Sequence, residues 1–111
     1  MLPRTSRLTT RQFDLVMKKG RVMHSSFFLA RVLEGQVGTR FSAVVPVKVS
    51  KKATDRNRIR RAMYDHIARP LNSITVSCHV AIFAKIDTTT KPSADVFADL
   101  KALFVKAGIL R

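Results

Sequence analysis

From Ile74 to Ile86 apolar side chains recur at every second position: Ile74, Val76, Cys78, Val80, Ile82, Ala84 and Ile86. A period of two is the geometry of a β-strand, in which successive side chains point to opposite faces of a sheet. Thr75, Ser77, His79, Ala81, Phe83 and Lys85 then occupy the second face. A strand of this kind must pair its backbone with neighbours and bury its apolar face against another layer.

The neighbours lie upstream. Residues 22–33 are rich in β-branched, aromatic and aliphatic side chains and end at the turn-forming Glu34-Gly35-Gln36-Val37-Gly38. Arg40–Val47 reads as the antiparallel partner of that run, with Pro46, which cannot donate to a ladder, at its end or on an edge. Helical signals surround these strands. Thr9 and Gln12 have capping-box spacing and Leu8 can staple against Phe13, which predicts a helix over residues 10–19 with Gly20 as a left-handed stop. A second helix is expected over residues 54–69, ended by Pro70, with Ile59, Ala62, Met63, His66 and Ile67 on its buried stripe and Tyr64 among the outward residues. Ser93 is expected to cap a third, whose Val96, Phe97, Leu100, Leu103 and Phe104 face inward and which Gly108 closes.

The order is helix, strand, strand, helix, strand, helix, with the first long strand able to divide in two. It describes an α/β sandwich of one sheet and a few helices. At 111 residues the chain suits one domain, taken as residues 1–111.

Charge narrows the function. Twenty-one Lys and Arg oppose seven Asp and Glu, a formal net charge of +14. Phosphate backbones are the natural partners of such an excess, because each basic contact releases condensed counterions. A membrane partner would call for a basic amphipathic helix, a lipidation motif or a long apolar run, and none is visible. The first residues lack the pattern of a secretory signal and Cys78 is a lone cysteine, so a reducing, cytoplasmic setting is expected, with Cys78 a buried strand residue.

Catalytic chemistry is hard to place on this chain. Asp14, Glu34, Asp55, Asp65, Asp87, Asp95 and Asp99 are scattered, and Asp95 and Asp99 read as a solvated helix face. His24, His66 and His79 have no metal-ligand spacing with Cys78 or with each other, and His66 reads as a hydrogen-bonded core histidine. No phosphate loop or nucleophile elbow is present. The protein by itself is expected to catalyse nothing.

The densest feature is basic. Lys48, Lys51, Lys52, Arg56, Arg58, Arg60 and Arg61 meet only Asp55 within their span, and like charges at helical spacing contribute nothing to the stability of their own helix. RNA binding accounts for the run better than a solvated face, which would interleave acids.

Arg56-Asn57-Arg58-Ile59-Arg60-Arg61, preceded by Lys48-Val49-Ser50-Lys51-Lys52-Ala53, resembles the Arg-Asn-Arg signature of the bacterial ribonuclease P protein family. Arg7-Leu8, the Phe13–Gly20 helix and Phe27-Phe28-Leu29 are similar to further family segments. The resemblance is closest over residues 7–67. It implies a ribosomal protein S5 domain 2-like sandwich with a left-handed βαβ crossover, in which the signature helix joins two parallel strands. It also implies a non-catalytic subunit that assists a catalytic RNA in removing the 5′ leader of precursor tRNA, a reaction expected to use Mg2+.

Two RNA surfaces follow from the resemblance. Lys48, Lys51, Lys52, Arg56, Asn57, Arg58, Arg60 and Arg61 are expected to face the catalytic RNA, with Asn57 a candidate neighbour of a metal ion. Phe13, Met17, Phe28 and Ala30 are expected in a cleft for the single-stranded leader. Met17 and Ala30 stand where the family often has Phe and Tyr, Tyr64 where it often has Arg, and Val47 where it has the first of two lysines. From charge alone, a ribosomal protein is the competing reading and a stand-alone nuclease the enzymatic one.

Overall fold

Thr9 opens the first helix, α1 (Thr10–Lys19), with the expected capping box: the Thr9 side chain accepts from the Gln12 N–H, and the Gln12 side chain accepts from the Thr9 N–H. The computed structural model describes residues 6–70, 73, 74 and 76–110. Gly20 ends α1 in extended backbone, φ −69° and ψ 146°, and not in the expected left-handed conformation. Space explains the glycine: a Cβ there would lie 2.5 Å from the Val16 carbonyl oxygen that accepts the last helical bond.

The apolar run after Gly20 divides into β1 (Arg21–His24) and β2 (Phe28–Glu34), paired antiparallel. There follow β3 (Arg40–Val44), α2 (Ala53–Ala68), β4 (Cys78–Ala84) and α3 (Ser93–Lys106). The sheet order is β1-β2-β4-β3. The expected antiparallel pairing of β2 with β3 therefore does not occur. β4 lies between them, antiparallel to β2 and parallel to β3, and α2 is carried in the crossover between the two parallel strands. Burial explains the order, because Val80, Ala81 and Ile82 are all fully buried and only a central strand has both faces covered.

β4 is also shorter than the alternation from Ile74 to Ile86. Its ladder with β2 runs only from Cys78 opposite Glu34 to Ala84 opposite Phe28. Upstream of it, Ile74 makes an isolated antiparallel bridge to Leu110 and Val76 packs against the core, while Thr75 lies outside the described residues. Side-chain alternation needs only a buried face, whereas a strand needs a partner at every step.

One core fills the space between the sheet and two helices. Phe28, Ala30 and Val32 of β2, Phe41 and Ala43 of β3, and Cys78, Val80, Ile82 and Ala84 of β4 meet Ile59, Met63 and Ile67 of α2 and Val96, Leu100, Leu103 and Phe104 of α3. At roughly 1.5–3 kcal/mol for each large side chain buried, this layer supplies most of the favourable free energy of folding. The other face carries α1, whose Val16 is fully buried and whose last turn is fastened by Arg31 Nη1 donating to the Met17 carbonyl at 3.2 Å. Pro92, not Ser93, holds the N-cap position of α3 and no side chain caps it. Gly108, with φ +81°, closes that helix as expected.

Two histidines are sealed inside. His66 lies on the α2 stripe with its Nδ1 unpartnered among the described residues, where a hydrogen bond was expected, and His79 lies on β4. Desolvation lowers both pKa values from 6.5, with Arg69 adding to the effect at His66 against Asp65, and Arg40 adding to it at His79 against a weaker pull from the Val37 backbone. The unfolded chain then binds protons that the folded chain refuses, so this contribution to stability is complete above the unfolded pKa and is lost as pH falls through it toward the folded values. Urea unfolding should give a lower midpoint at about pH 5.5 than at about pH 7.5, and replacing both histidines by Gln should flatten that difference. An equally steep pH dependence in the double variant would assign it to other groups.

Candidate nucleic-acid interface

The basic run begins in the connection from β3 to α2. Pro46 stands just past β3 and starts a turn closed by Val49 N–H donating to the Pro46 carbonyl at 3.0 Å. Val49 packs against the core, while Lys51 and Lys52 stay exposed. Lys52 is the N-cap of α2 but makes no side-chain cap bond. Arg56 reaches back from the first turn instead, and its Nη1 donates to the carbonyls of Ser50 at 3.0 Å and Lys51 at 2.8 Å.

Arg58 is also engaged within the fold. Its Nη1 donates to Thr89 Oγ1 at 2.7 Å, and its Nη2 lies 3.8 Å from Asp55 Oδ1 and 3.7 Å from Asp87 Oδ2. Thr89 in turn donates to Asp87 Oδ1 at 2.5 Å within the short 3-10 turn Thr88–Thr90. Arg60 and Arg61 make no hydrogen bond or ion pair among the described residues. With Asn57, Arg7 and Tyr64 they line a shallow depression of about 220 Å³ that contains no carboxylate.

Two residues of that depression were not expected from the sequence as site residues. Tyr64 turns inward from its expected outer face: it is 9% exposed, and its hydroxyl accepts from the Ala43 N–H at 3.1 Å, closing the outer edge of β3. Arg7 lies over the Tyr64 ring, its guanidinium carbon 4.6 Å from the centroid, and its Nε is buried without a partner among the described residues. The Arg7 backbone is fixed by a parallel bridge to Phe41 and by Arg40 Nη1 donating to its carbonyl. The Arg7-Leu8 segment was the one available signal for this placement.

On the other side of the sheet a cleft of about 600 Å³ opens between the end of α1 and the strands. Met17, Leu29 and Phe83 give it an apolar lining, and Arg31, Lys48 and Lys85, with His24 beside them, give it positive charge. Phe13 stands beside this surface, its ring 6.4 Å from that of Phe83, and shares a smaller depression with Leu8, Ser42 and Val44. Of the four expected leader residues, then, the structure gathers Met17 and Phe13 on the α1 side. Phe28 and Ala30 do not reach it: they are 0% and 1% exposed and face α2 and α3. Strand alternation gives the reason, since it directs Leu29 and Arg31, the intervening residues of β2, to the cleft. Lys48 likewise stands apart from the other expected basic residues: the Pro46–Val49 turn carries it into the cleft lining and away from Asn57, Arg60 and Arg61.

The β1–β2 turn, which follows the cleft residue His24, is fixed by an acid expected to be solvated. Asp99 on α3 accepts from Ser25 Oγ at 2.6 Å and from the N–H groups of Ser26 and Phe27, each at 3.1 Å. Lys85 Nζ donates to the Ser25 carbonyl at 2.7 Å. These bonds tie the β1–β2 turn to the rest of the fold and set the positions of His24 and Lys85.

The geometry suits binding of polyanions. Among the described residues no group of three or more His, Cys, Asp or Glu is placed to hold a metal ion. Asn57 shares its depression with three arginines, an environment hostile to a cation. The Cys78 thiol is buried, and burial, with Glu34 adding to it, pushes its pKa up to about 11. No helix among the described residues is long and apolar enough to cross a membrane.

Comparison with known proteins gives one answer. The family profile described as Ribonuclease P matches residues 2–108. A ribonuclease P protein component from Synechocystis sp. is 34% identical over 112 residues, covering 98% of this chain and 90% of the relative. One from Prochlorococcus marinus strain NATL2A is 28% identical over 127 residues, covering 100% and 99%. In structure the chain is similar to the Staphylococcus aureus RNase P protein, with a TM-score of 0.79 and 17% identity over 96% of this chain and 98% of that one. It is similar also to the Thermotoga maritima RNase P protein, with a TM-score of 0.76 and 23% identity over 90% and 96%.

Proposed function

The chain belongs to the ribonuclease P protein family, and from that premise we propose how its two basic surfaces divide the work of maturing precursor tRNA. The protein is the RNA-binding subunit of the ribonucleoprotein: the catalytic RNA performs the endonucleolytic removal of the 5′ leader, and the protein assists without supplying a catalytic group. The α2 side, with Lys51, Lys52, Asn57, Arg60 and Arg61 and joined by Arg7, contacts the catalytic RNA. The cleft beside α1, with Phe13, Met17, Leu29 and Phe83 between Arg31, Lys48 and Lys85, receives the single-stranded leader.

The observation that carries this reading is the difference between the surfaces. One is dominated by Arg7, Arg60 and Arg61, with the Tyr64 ring mostly buried beneath Arg7, as suits the backbone of a folded RNA, whose phosphates position a partner without being read for sequence. The other joins positive charge to an apolar, aromatic-containing floor, which can hold unstacked bases of any sequence. Mature tRNA lacks the leader, so the cleft binds precursor more tightly than product, and discrimination arises as a difference of two affinities. Among the described residues no cluster of His, Cys, Asp or Glu is placed to hold a metal ion, and Mg2+ for the reaction is assigned to the RNA and its phosphates.

The test uses the complex reconstituted with its catalytic RNA. Precursor should bind more tightly than mature tRNA at one salt concentration, and the RNA-free protein should leave precursor uncut. Equal affinities for the two tRNAs would overturn the leader-binding role, and cleavage by the RNA-free protein would overturn the division of labour.

A further inference from the structure

The signature arginine Arg56 and the cleft residue Lys48 belong to different surfaces, yet one short loop joins them. Between Val45 and α2 the chain has few fixed points. The Val49 N–H to Pro46 carbonyl bond closes the turn that carries Lys48, and Val49 packs on the core. Beyond Val49 the chain leaves the core through Ser50 and Lys51, whose carbonyls converge on a single nitrogen, Arg56 Nη1. The N-cap Lys52 contributes no side-chain bond, so Arg56 supplies the side-chain anchor where the loop enters α2. A guanidinium with two bonds to its own loop has part of its donor capacity committed before any RNA arrives.

We propose that Arg56 is a positioning residue for the leader cleft: by gathering the Ser50 and Lys51 carbonyls it sets the Pro46–Lys52 loop and so holds Lys48 in the cleft lining, linking the catalytic-RNA side to leader recognition. The inference rests on the assignment of the cleft to the leader. It goes beyond that assignment in giving a residue of the signature an effect on the opposite surface. Arg61, which has no hydrogen-bond or ion-pair partner among the described residues, provides the contrast, since its loss removes a charge and leaves the loop untouched.

The geometry sets the experiment. In the complex with the catalytic RNA, Lys48→Ala should lower the preference for precursor over mature tRNA by about fivefold, the scale of one exposed charge pair. Arg56→Met should lower it to a similar extent, and the double variant should lose no more than either single one, because both act through the same lysine. Arg61→Met should weaken binding of the catalytic RNA and leave the precursor preference in place. Because both carbonyls meet one nitrogen, an ammonium can serve them, and Arg56→Lys should restore the preference. In the RNA-free protein, Arg56→Met should speed amide exchange at Val49, whose N–H closes the turn that carries Lys48, with little change at β4, a local readout that does not depend on RNA.

Failure of the two readings is distinguishable. If the unmutated complex shows no precursor preference, the leader assignment itself falls. If Lys48→Ala lowers the preference while Arg56→Met does not, or the two losses add in the double variant, or the Val49 amide exchanges unchanged, the positioning role of Arg56 is overturned and the cleft assignment stands.

Discussion

Replacing Arg60 and Arg61 together by Ala is expected to flatten the salt dependence of binding to the catalytic RNA by about two units of slope, one for each phosphate left without its arginine. Neither side chain makes a hydrogen bond or ion pair among the described residues, and Arg61 is exposed. Their removal therefore takes little from the fold, since exposed charges contribute roughly 0–1 kcal/mol each. The effect on affinity is far larger. Each arginine acts through counterion release, so the weakening should be greatest at low salt and shrink as salt rises. Arg58→Ala gives a built-in comparison: Thr89 and the carboxylates of Asp55 and Asp87 already surround that guanidinium, so its slope change should be smaller and its loss of stability greater. Binding titrations over a range of salt concentrations decide the matter. A double variant with the slope of the parent would remove Arg60 and Arg61 from the RNA interface.

Phe28→Ala is expected to be the most destabilising single change among the four residues that the sequence pointed toward the leader, at about 3–5 kcal/mol, the usual cost of emptying a phenylalanine-sized space in a core. The Phe28 side chain is fully buried on β2 opposite Ala84, in the layer that meets α3. Domains of this kind have roughly 5–15 kcal/mol of stability in total, so the variant would be left with little margin at growth temperature. Its neighbour gives the opposite pattern. Leu29 is only partly buried and lines the cleft, so Leu29→Ser should reduce precursor preference at a smaller cost in stability. Urea unfolding and tRNA affinities measured on both variants separate the two roles. A Phe28→Ala protein as stable as its parent, with its leader preference gone, would return Phe28 to the cleft and contradict the strand geometry.

These two variants mark where inference from sequence reaches its limit. Helix positions were legible because capping, periodicity and stop signals are local: the Thr9–Gln12 box, the α2 stripe around Ile59, Met63 and Ile67, and the Gly108 stop all occur as read. The RNA-binding class was legible because a charge of +14 must be neutralised from outside, whatever the fold. The Arg-Asn-Arg resemblance added the family, and membership of that family displaces the ribosomal and stand-alone nuclease readings that charge alone had left open.

Sequence by itself thus determined where the helices lie, which apolar stripes of the helices meet the core, and that a polyanion is the expected partner, because each of these depends on neighbours in the chain or on composition. Only the tertiary structure decided that β4 separates β2 from β3, since strand order depends on which faces are covered by segments distant in sequence. It alone decided which side of β2 meets the cleft, because alternation fixes that residues differ in facing and says nothing about which face α1 covers. The same holds for the fates of the signature arginines: Arg56 and Arg58 bond to a loop and a turn that the fold brings to them, while Arg60 and Arg61 meet no such acceptor among the described residues. A basic motif records charge along a helix, and whether a guanidinium remains available for phosphate is settled by the acceptors that folding places within its reach.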